Sequence, residues 1–266
     1  MYDQFNRRIN YLRVSVTDRC NLRCTYCMPE EGVKLLDHKD ILSFEEITKI
    51  IKIAVNKGID KIRLTGGEPL VRHGIIDLVS MISKIKGIKD FGMTTNGIYL
   101  HDYAQKLKDA GLQRINISLD TLDPVQYKNI TRGGNIDDVL KGIEAAKKAK
   151  LTPIKINCVV RNSSGDENAK QVNNFCIEND LQVRFIRLMN LKNGTFSIVE
   201  HGDGGNCAIC NRLRLTADGK IKPCLFNDLE YDIRKIGIEK AIELAVKNKP
   251  KSGTNNKVNQ FSNIGG

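Results

Sequence analysis

Short runs of β-branched and other apolar residues alternate, over roughly the first 190 residues, with longer stretches whose apolar residues recur at helical spacing. The short runs predict strands at residues 11–17, 61–65, 91–95, 114–119, 154–160 and 183–189. The longer stretches predict helices at residues 43–56, 74–85, 104–110, 136–149 and 168–178. Ser43 followed by Glu46 is a capping-box signature at the start of the first helix. This alternation predicts an α/β fold with a parallel, barrel-like sheet.

After residue 189 the pattern changes. Residues 190–206 contain Gly, Asn and Asp and indicate a connector, and residues 212–226 predict a hairpin that turns at Asp218-Gly219. A short helix is predicted at residues 236–246, before a polar tail that ends in Gly265-Gly266. We therefore expect a barrel over residues 1–190 and a C-terminal segment over residues 191–266.

Composition is typical of a soluble globular protein, with 41% hydrophobic and 27% charged residues in a chain of 266. No apolar run reaches the length of a membrane span, and the N-terminus lacks the apolar stretch of a signal peptide, so we expect a cytoplasmic protein without a membrane partner. The net charge of +11 favours an anionic partner. Because Trp is absent and no dense Lys/Arg block occurs, we do not expect that partner to be a nucleic acid.

Cysteine spacing carries the strongest chemical signal. Six of the eight cysteines fall into two groups, and Cys158 and Cys176 are expected to be packed thiols. The first group forms C-x₃-C-x₂-C directly after the first predicted strand and consists of Cys20, Cys24 and Cys27. Three thiolates can bind three irons of a 4Fe–4S cluster and leave the fourth iron open to an external ligand. A zinc knuckle would need a fourth protein ligand, and the nearest histidine, His38, lies eleven residues downstream.

The second group, Cys207-x₂-Cys210-x₁₃-Cys224, again offers three thiolates. His201 could complete a Cys₃His zinc site, which is the alternative to a second cluster.

Two segments carry a resemblance to a known family. Residues 11–29, YLRVSVTDRCNLRCTYCMP, resemble the radical SAM superfamily, whose members cleave S-adenosylmethionine (SAM), and more closely its GTP 3′,8-cyclases. Residues 210–219, CNRLRLTADG, are similar to the second cluster region of that family. The resemblance implies a partial (β/α)₆ TIM-like barrel with a C-terminal iron–sulfur extension. It also implies the first step of molybdenum cofactor biosynthesis, conversion of GTP to 3′,8-cyclo-7,8-dihydro-GTP through a 5′-deoxyadenosyl radical.

The resemblance also implies cofactors, partners and site residues. Two 4Fe–4S clusters would be bound by the two cysteine groups, with GTP as substrate, an electron donor such as a flavodoxin or ferredoxin, and a homodimer as the candidate assembly. The implied SAM-binding residues are Tyr26, Gly67, Glu68, Ser118 and Met189. The implied GTP-binding residues are Arg13, Arg63, Thr94, Lys155, Arg212 and Arg214. The implied catalytic residues are Arg212, Arg214, Gly265 and Gly266.

Local patterns agree with several of these roles. Gly66 and Gly67 follow the second predicted strand and allow close approach of the backbone to a ligand, and the next residue, Glu68, can accept a hydrogen bond from an ammonium group. Arg212 and Arg214 are two residues apart on a predicted strand, so their side chains project to the same face.

The chain departs from the family pattern between Met189 and Cys207, where it is shorter than the family's members. Arg187 and Asn190 also stand where the family carries Glu and Pro. Arg187 and Lys155 would place positive charge on the later strands, although solvent-facing edges would explain both equally well. Two alternatives remain. The first is a radical SAM enzyme that modifies a peptide or another purine nucleotide. The second is a zinc-bearing nucleic-acid-binding protein with a vestigial barrel.

Overall fold

The computed structural model describes residues 1–258 and 261–264. Six parallel strands lie side by side in chain order, as the sequence predicts. They are β1 (Tyr11–Ser15), β2 (Lys61–Thr65), β3 (Asp90–Thr95), β4 (Arg114–Ser118), β5 (Lys155–Val160) and β6 (Gln182–Arg187). This order, with helices in the connections, is the partial barrel that was expected.

Helices follow the first five strands. They are α1 (Phe44–Asn56), α2 (Ile75–Ser83), α3 (Leu100–Asp109), α4 (Pro124–Thr131), α5 (Ile136–Lys148) and α6 (Glu167–Glu178). The capping box of α1 is confirmed, because Ser43 accepts from the Glu46 amide while the Glu46 carboxylate accepts from the Ser43 amide. The sequence analysis did not predict α4, which begins at a proline capped by Asp123. It also placed the start of α3 four residues late.

The barrel strands alternate between two faces. Residues such as Leu12, Val14, Ile62 and Leu64 are fully buried in the core between the sheet and its helices. Their neighbours in sequence point to the other face, and many of these are polar or charged. Alternation along six strands therefore gives the barrel an apolar outer layer and a polar interior.

The C-terminal segment extends the same sheet. The additional strands are β7 (Arg212–Leu215), β8 (Lys220–Lys222) and β9 (Tyr231–Asp232). Strands β7 and β8 form the predicted antiparallel hairpin, which turns at Asp218-Gly219. The hairpin is not separate from the barrel, because β7 also pairs in parallel with β1. The predicted helix at residues 236–246 is divided at Gly237 into α7 (Ile233–Ile236) and α8 (Ile238–Lys247), and α9 (Phe261–Ile264) follows.

The connector between β6 and β7 is irregular but well tied to its surroundings. Its backbone pairs Asn190 with Thr195, and Phe185 of β6 with Glu200. Gly205 adopts a φ of +75°, and a Cβ there would lie 1.8 Å from the carbonyl oxygen of Ser197, so this position requires glycine. Within the ranges that the structure describes, no helix has the length and apolar character needed to cross a membrane.

Candidate active site

The register of the strands brings the charged residues of the barrel interior together. Arg13 on β1 is aligned with Arg63 on β2 and with Arg214 on β7, and Tyr11 is aligned with Arg212. All five side chains belong to the inner face. Two cavities open along this interior, one beside each cysteine group.

The first cavity lies against the C-x₃-C-x₂-C loop. The residues that line it include Cys20, Cys24, Tyr26, Cys27, Gly67, Glu68, Thr94, Ser118, Arg187, Met189 and Phe261. Burial raises the pKa of Cys20 to about 11 and that of Cys24 to about 12. Burial also raises the pKa of Cys27. The three thiols therefore favour the protonated form until a cation stabilises the thiolates.

Glycine at position 67 lets two loops meet closely. The amides of Gly67 and Glu68 each donate at 2.8 Å, to the carbonyl oxygens of Thr17 and Arg19 respectively. A Cβ at Gly67 would lie 2.2 Å from the Arg19 carbonyl oxygen. Gly67 also lines the first cavity, so its missing side chain serves both the close approach to the backbone before the first cysteine and the surface open to a ligand.

The Glu68 carboxylate is buried on the wall of the first cavity. It accepts hydrogen bonds from the amide of Leu70 at 2.9 Å, the hydroxyl of Thr95 at 2.7 Å and the amide of Asn96 at 2.7 Å. These donors are neutral, and burial outweighs them to raise the pKa of Glu68 to about 7. A ligand carrying an amino group would stabilise the ionised carboxylate.

Tyr26, between the second and third cysteines, is fixed by a residue to which the sequence assigned no role. Its hydroxyl donates to Asp120 Oδ2 at 2.7 Å, and Asp120 Oδ1 accepts from the amide of Val159 at 2.8 Å. Burial raises the pKa of Asp120 to about 6. Asp120 thereby links the cysteine loop to the carboxyl ends of β4 and β5. Its place in the motif Ser118-Leu119-Asp120, after a predicted strand, was the available signal.

The second cavity contains the second cysteine group and a concentration of positive charge. Its charged lining residues within the described part of the chain are Arg13, Arg63, Arg184, Arg212, Arg214, Lys249 and Asp203. Six cations therefore face one carboxylate. The apolar side of the cavity contains Phe196 and Phe226, which stack at a centroid distance of 4.5 Å, and the connector supplies much of the wall.

The arginines in this cavity are crowded. Burial, together with the charge of Arg214, lowers the pKa of Arg13 to about 9, and burial with the charge of Arg212 lowers the pKa of Arg214 to about 10. Burial disfavours ionisation of Tyr11, but Arg63, Arg13 and Arg212 together lower its pKa to about 8. Arg63 Nε also donates to the Tyr11 hydroxyl at 2.6 Å. Mutual repulsion of this kind is relieved by a polyanionic ligand.

Lys155, Thr94 and Arg187 differ in how they lie relative to the two cavities. Lys155 is on the inner face of β5 but does not line either cavity, whereas Asn157, two residues later, lines both. Thr94 lines the first cavity, and its hydroxyl lies 3.5 Å from Arg63 Nη1. Arg187 is exposed at the end of β6 and lines the first cavity.

Two residues of the second cavity had no assigned role at the sequence level. Arg184 lies three residues before Arg187 and projects into the cavity because β6 alternates its side chains. Asn116 Oδ1 is buried and has no hydrogen-bond partner among the described residues. An acceptor of this kind on a cavity wall fits a ligand that donates a hydrogen bond.

Cys207, Cys210 and Cys224 all line the second cavity and are free thiols. His201 is exposed, and its ring forms a T-shaped contact with that of Phe185, with 5.9 Å between the ring centroids. In the described ranges no three His, Cys, Asp or Glu side chains are arranged around a single metal ion. A 4Fe–4S cluster differs, because each of three thiolates binds a different iron. Both donor sets, three thiols on a cavity wall, fit such a cluster.

The C-terminal helix reaches the boundary of the two cavities. Arg214 Nη1 lies 3.3 Å from the carbonyl oxygen of Ile264, and Phe261 lines the first cavity. Gly265 and Gly266, predicted to be catalytic, lie outside the described residues.

The two cavities share part of their walls. Asn157, Ile186 and Met189 line both of them. Ligands bound in the two cavities would therefore meet at this shared wall.

Comparison with known families identifies the class of protein. Residues 14–176 match the sequence profile of the radical SAM superfamily, and residues 182–262 match the profile described as Molybdenum Cofactor Synthesis C. The first match covers more than half of the chain. With the partial barrel and the first cysteine loop, it defines a radical SAM protein.

Curated relatives narrow the class further. The chain is 44% identical to the GTP 3′,8-cyclase of Thermodesulfovibrio yellowstonii, over 89% of this chain and 88% of that protein. It is 42% identical to the GTP 3′,8-cyclase of Peptoclostridium acidaminophilum, over 94% and 92% of the two chains. The chain belongs to the GTP 3′,8-cyclase family. The first alignment has 282 positions against 266 residues in this chain, so the relative carries residues that this chain lacks.

Solved structures support the fold. SuiB of Streptococcus suis superimposes with a TM-score of 0.63 at 16% identity, over 91% of this chain and 66% of SuiB. Native anSMEcpe with bound AdoMet superimposes with a TM-score of 0.62 at 16% identity, over 91% of this chain and 81% of that chain.

Proposed function

We propose that this chain catalyses the reaction of its family, conversion of GTP to 3′,8-cyclo-7,8-dihydro-GTP, the first step of molybdenum cofactor biosynthesis. The observation that carries the proposal is the shared wall of Asn157, Ile186 and Met189, which joins a thiol-lined cavity to a strongly cationic one. When bound, the first cluster supplies the electron that cleaves SAM to methionine and a 5′-deoxyadenosyl radical. The sugar of GTP would lose its 3′ hydrogen to that radical and then bond to C8 of guanine, and the resulting purine radical would take up one electron from the external donor and one proton to give the 7,8-dihydro product.

The first cavity would bind SAM. Glu68 accepts from the amino group, and its three neutral donors hold the carboxylate in a fixed orientation. Ser118 and Tyr26 would provide further polar contacts, and Met189, on the wall that both cavities share, would contact the adenine. Asp120 holds Tyr26 in place. These residues would orient the bound SAM and exclude water from the shared wall.

The second cavity would bind GTP. The triphosphate of GTP would bind to five arginines whose forked guanidinium groups match phosphate oxygens: Arg13, Arg63, Arg184, Arg212 and Arg214. Asn116 Oδ1 would accept from a hydroxyl or amino group of the nucleotide. The second cysteine group would hold the second cluster beside the base. Lys155, set back from the cavity, would add long-range positive charge only.

The alternatives raised by the sequence are less well supported. A peptide substrate gives no reason for five buried or half-buried arginines around one cavity. A zinc-bearing protein that binds nucleic acid gives no reason for a second thiol group on the wall of a cavity that adjoins the first.

We further propose the finer properties that family membership suggests. Gly265 and Gly266 would act in the cavity, which is supported by the contact between Arg214 and Ile264 immediately before them. The physiological electron donor would be a flavodoxin or ferredoxin, the chain would work in the cytoplasm, and it would assemble as a homodimer. Residues 1–190 would form the barrel unit and residues 191–266 the unit of the second cluster.

The test is anaerobic turnover of cluster-reconstituted protein with SAM, dithionite and GTP, followed by mass spectrometry. We expect 5′-deoxyadenosine together with a cyclised isomer of GTP, and about eight irons per chain, as two 4Fe–4S clusters require. Matched reactions use ATP in place of GTP and a Cys24→Ala variant, and neither should give the product.

If 5′-deoxyadenosine forms while GTP stays unchanged, the substrate is a different molecule and the proposal fails at that point. If a peptide binds to the loaded enzyme and excess GTP does not displace it, the peptide alternative replaces the proposal.

A further inference from the structure

A buried cation from the N-terminal arm contacts the loop of Cys207. The Arg7 side chain is 6% exposed, and its Nη1 donates to the carbonyl oxygen of Cys207 at 2.7 Å. The same guanidinium donates to the carbonyl oxygens of Pro250 at 2.7 Å and Lys251 at 3.0 Å, and it pairs with Asp3 at 2.6 Å. Arg7 therefore joins the first loop of the second cysteine group to the segment that follows α8.

A second buried cation contacts the other two cysteine loops. Lys249 is 1% exposed, and its Nζ donates to the carbonyl oxygens of Arg212 at 2.7 Å and Pro223 at 2.5 Å. Arg212 lies two residues after Cys210, and Pro223 directly precedes Cys224. The ammonium group thus bridges the loops of two thiols that are fourteen residues apart in sequence.

Comparison with another buried lysine shows what is particular about Lys249. Lys222 on β8 is fully buried, and its Nζ lies 3.4 Å from the carboxylate of Glu230, which stabilises its charge. Among the described residues, the Lys249 ammonium donates to these two carbonyl oxygens, and the thiols of Cys210 and Cys224 lie near it. A buried ammonium is costly unless it is paired with negative charge. Thiolates bound to iron would supply that charge at this position.

We infer that Lys249 is a positioning residue for the second cluster: its ammonium holds the loops of Cys210 and Cys224 at a fixed separation and stabilises the charge of their thiolates. Arg7 likewise holds the loop of Cys207 in place, through the hydrogen bond that it donates to the carbonyl oxygen of Cys207. This inference rests on the second cluster of the proposed function. It requires no direct contact between Lys249 and GTP.

The experiment uses a Cys24→Ala background. The first cysteine group lacks one thiol there, so the iron that the chain retains is bound by the second cysteine group. The chain is loaded anaerobically with ferrous iron and sulfide, and the rate of iron release to excess chelator is measured. We expect Lys249→Met to release iron about tenfold faster or more, the range typical of lost outer-shell partners of a metal site. Lys249→Arg, which keeps the charge, should stay within about threefold of the parent.

A redox titration of the same proteins gives a second readout. Loss of the positive charge at Lys249 makes addition of an electron to the cluster less favourable, so the midpoint potential should move to more negative values in Lys249→Met and stay near that of the parent in Lys249→Arg.

Lys222→Met is the matched control, because it also removes a buried lysine of this region but one that is paired with Glu230. It should release iron at the rate of the parent. Equal rates for Lys249→Met and the parent would overturn the inference, and so would equally fast release from Lys222→Met, which would indicate general loosening of the hairpin. A parent that binds no iron would overturn both the second cluster and the inference. A loaded chain that does not cyclise GTP would count against the proposed function alone.

Discussion

The substitution Glu68→Gln tests the assignment of the first cavity. Glu68 uses Oε1 to accept from Leu70 and Thr95, and Oε2 to accept from Asn96. A glutamine amide has only one acceptor oxygen, so either the Leu70 or the Asn96 amide loses its partner. Leaving a buried donor unsatisfied costs about 1–3 kcal/mol. We therefore expect a lower midpoint of thermal unfolding.

Glu68→Gln should also weaken the binding of SAM. A hydrogen bond to a charged group contributes about 1.5–3 kcal/mol, and each 1.4 kcal/mol is about a factor of ten in affinity. We therefore expect Glu68→Gln to raise the Kd for SAM about 10- to 100-fold. Anaerobic isothermal titration calorimetry of the reconstituted protein measures this change, and Glu178→Gln, an exposed position at the end of α6, is the control.

The same pair of proteins gives a pH signature. With its pKa raised by burial to about 7, Glu68 is about one-tenth ionised at pH 6 and about half ionised at pH 7. Since the amino group of SAM binds the ionised form, the ratio of wild-type to Glu68→Gln affinity should rise about fivefold between these two pH values. Using the ratio removes titration of SAM itself. A ratio that stays constant, or a variant that binds SAM as the wild type does, would refute the reasoning.

Three further substitutions separate the two cavities. Arg63→Lys keeps the charge but loses the guanidinium contacts with Tyr11 and Thr94, so the KM for GTP should rise about tenfold while SAM affinity is unchanged. Asn116→Leu removes a buried acceptor, and kcat/KM for GTP should fall about tenfold, because a ligand donor left unsatisfied in a buried site costs about 1–3 kcal/mol. Cys224→Ala should reduce the iron content from about eight to about four per chain.

Two of these substitutions have a control in the same chain. Arg161→Lys alters an exposed arginine and should leave the KM for GTP unchanged, and Cys176→Ala removes a buried thiol of α6 and should leave iron content unchanged. If Arg63→Lys weakens SAM as much as GTP, the two cavities are not separate sites. Full iron content in Cys224→Ala would show that the second group does not bind a cluster, and an unaltered kcat/KM in Asn116→Leu would remove that residue from the GTP site.

Local sequence signals were sufficient for the barrel. Each strand from β1 to β6 lies within two residues of its predicted bounds at both ends, because apolar runs between turn residues depend on nearby neighbours only. Helix α4 was missed because its apolar positions are few, although Asp123-Pro124 is a helix-start signal. The pairing of β7 with β1 has no local signature, since it joins segments about two hundred residues apart.

Side-chain roles were harder to predict than elements. Alternation along a strand does not show which of its two faces points into the barrel unless the register with the neighbouring strands is known. For this reason the sequence did not distinguish Arg184, which lines the cationic cavity, from Arg187, which lines the other cavity. Lys249 follows an amphipathic helix and reads as part of a solvated polar tail. Its burial depends on carbonyl groups from two distant segments, which only the folded chain brings together.

The parallel pairing of β1 with β7 has a consequence for how the protein forms. Strand β1 leaves the ribosome before β7, which emerges about two hundred residues later. During that interval one edge of β1 has backbone amides and carbonyls without a strand partner, a state that favours pairing with other chains. We expect strands β1–β6 to fold first and the second cysteine group to be assembled last. At that point Leu213 and Leu215 pair beside Leu12 and Val14, and the free edge of β1 is closed.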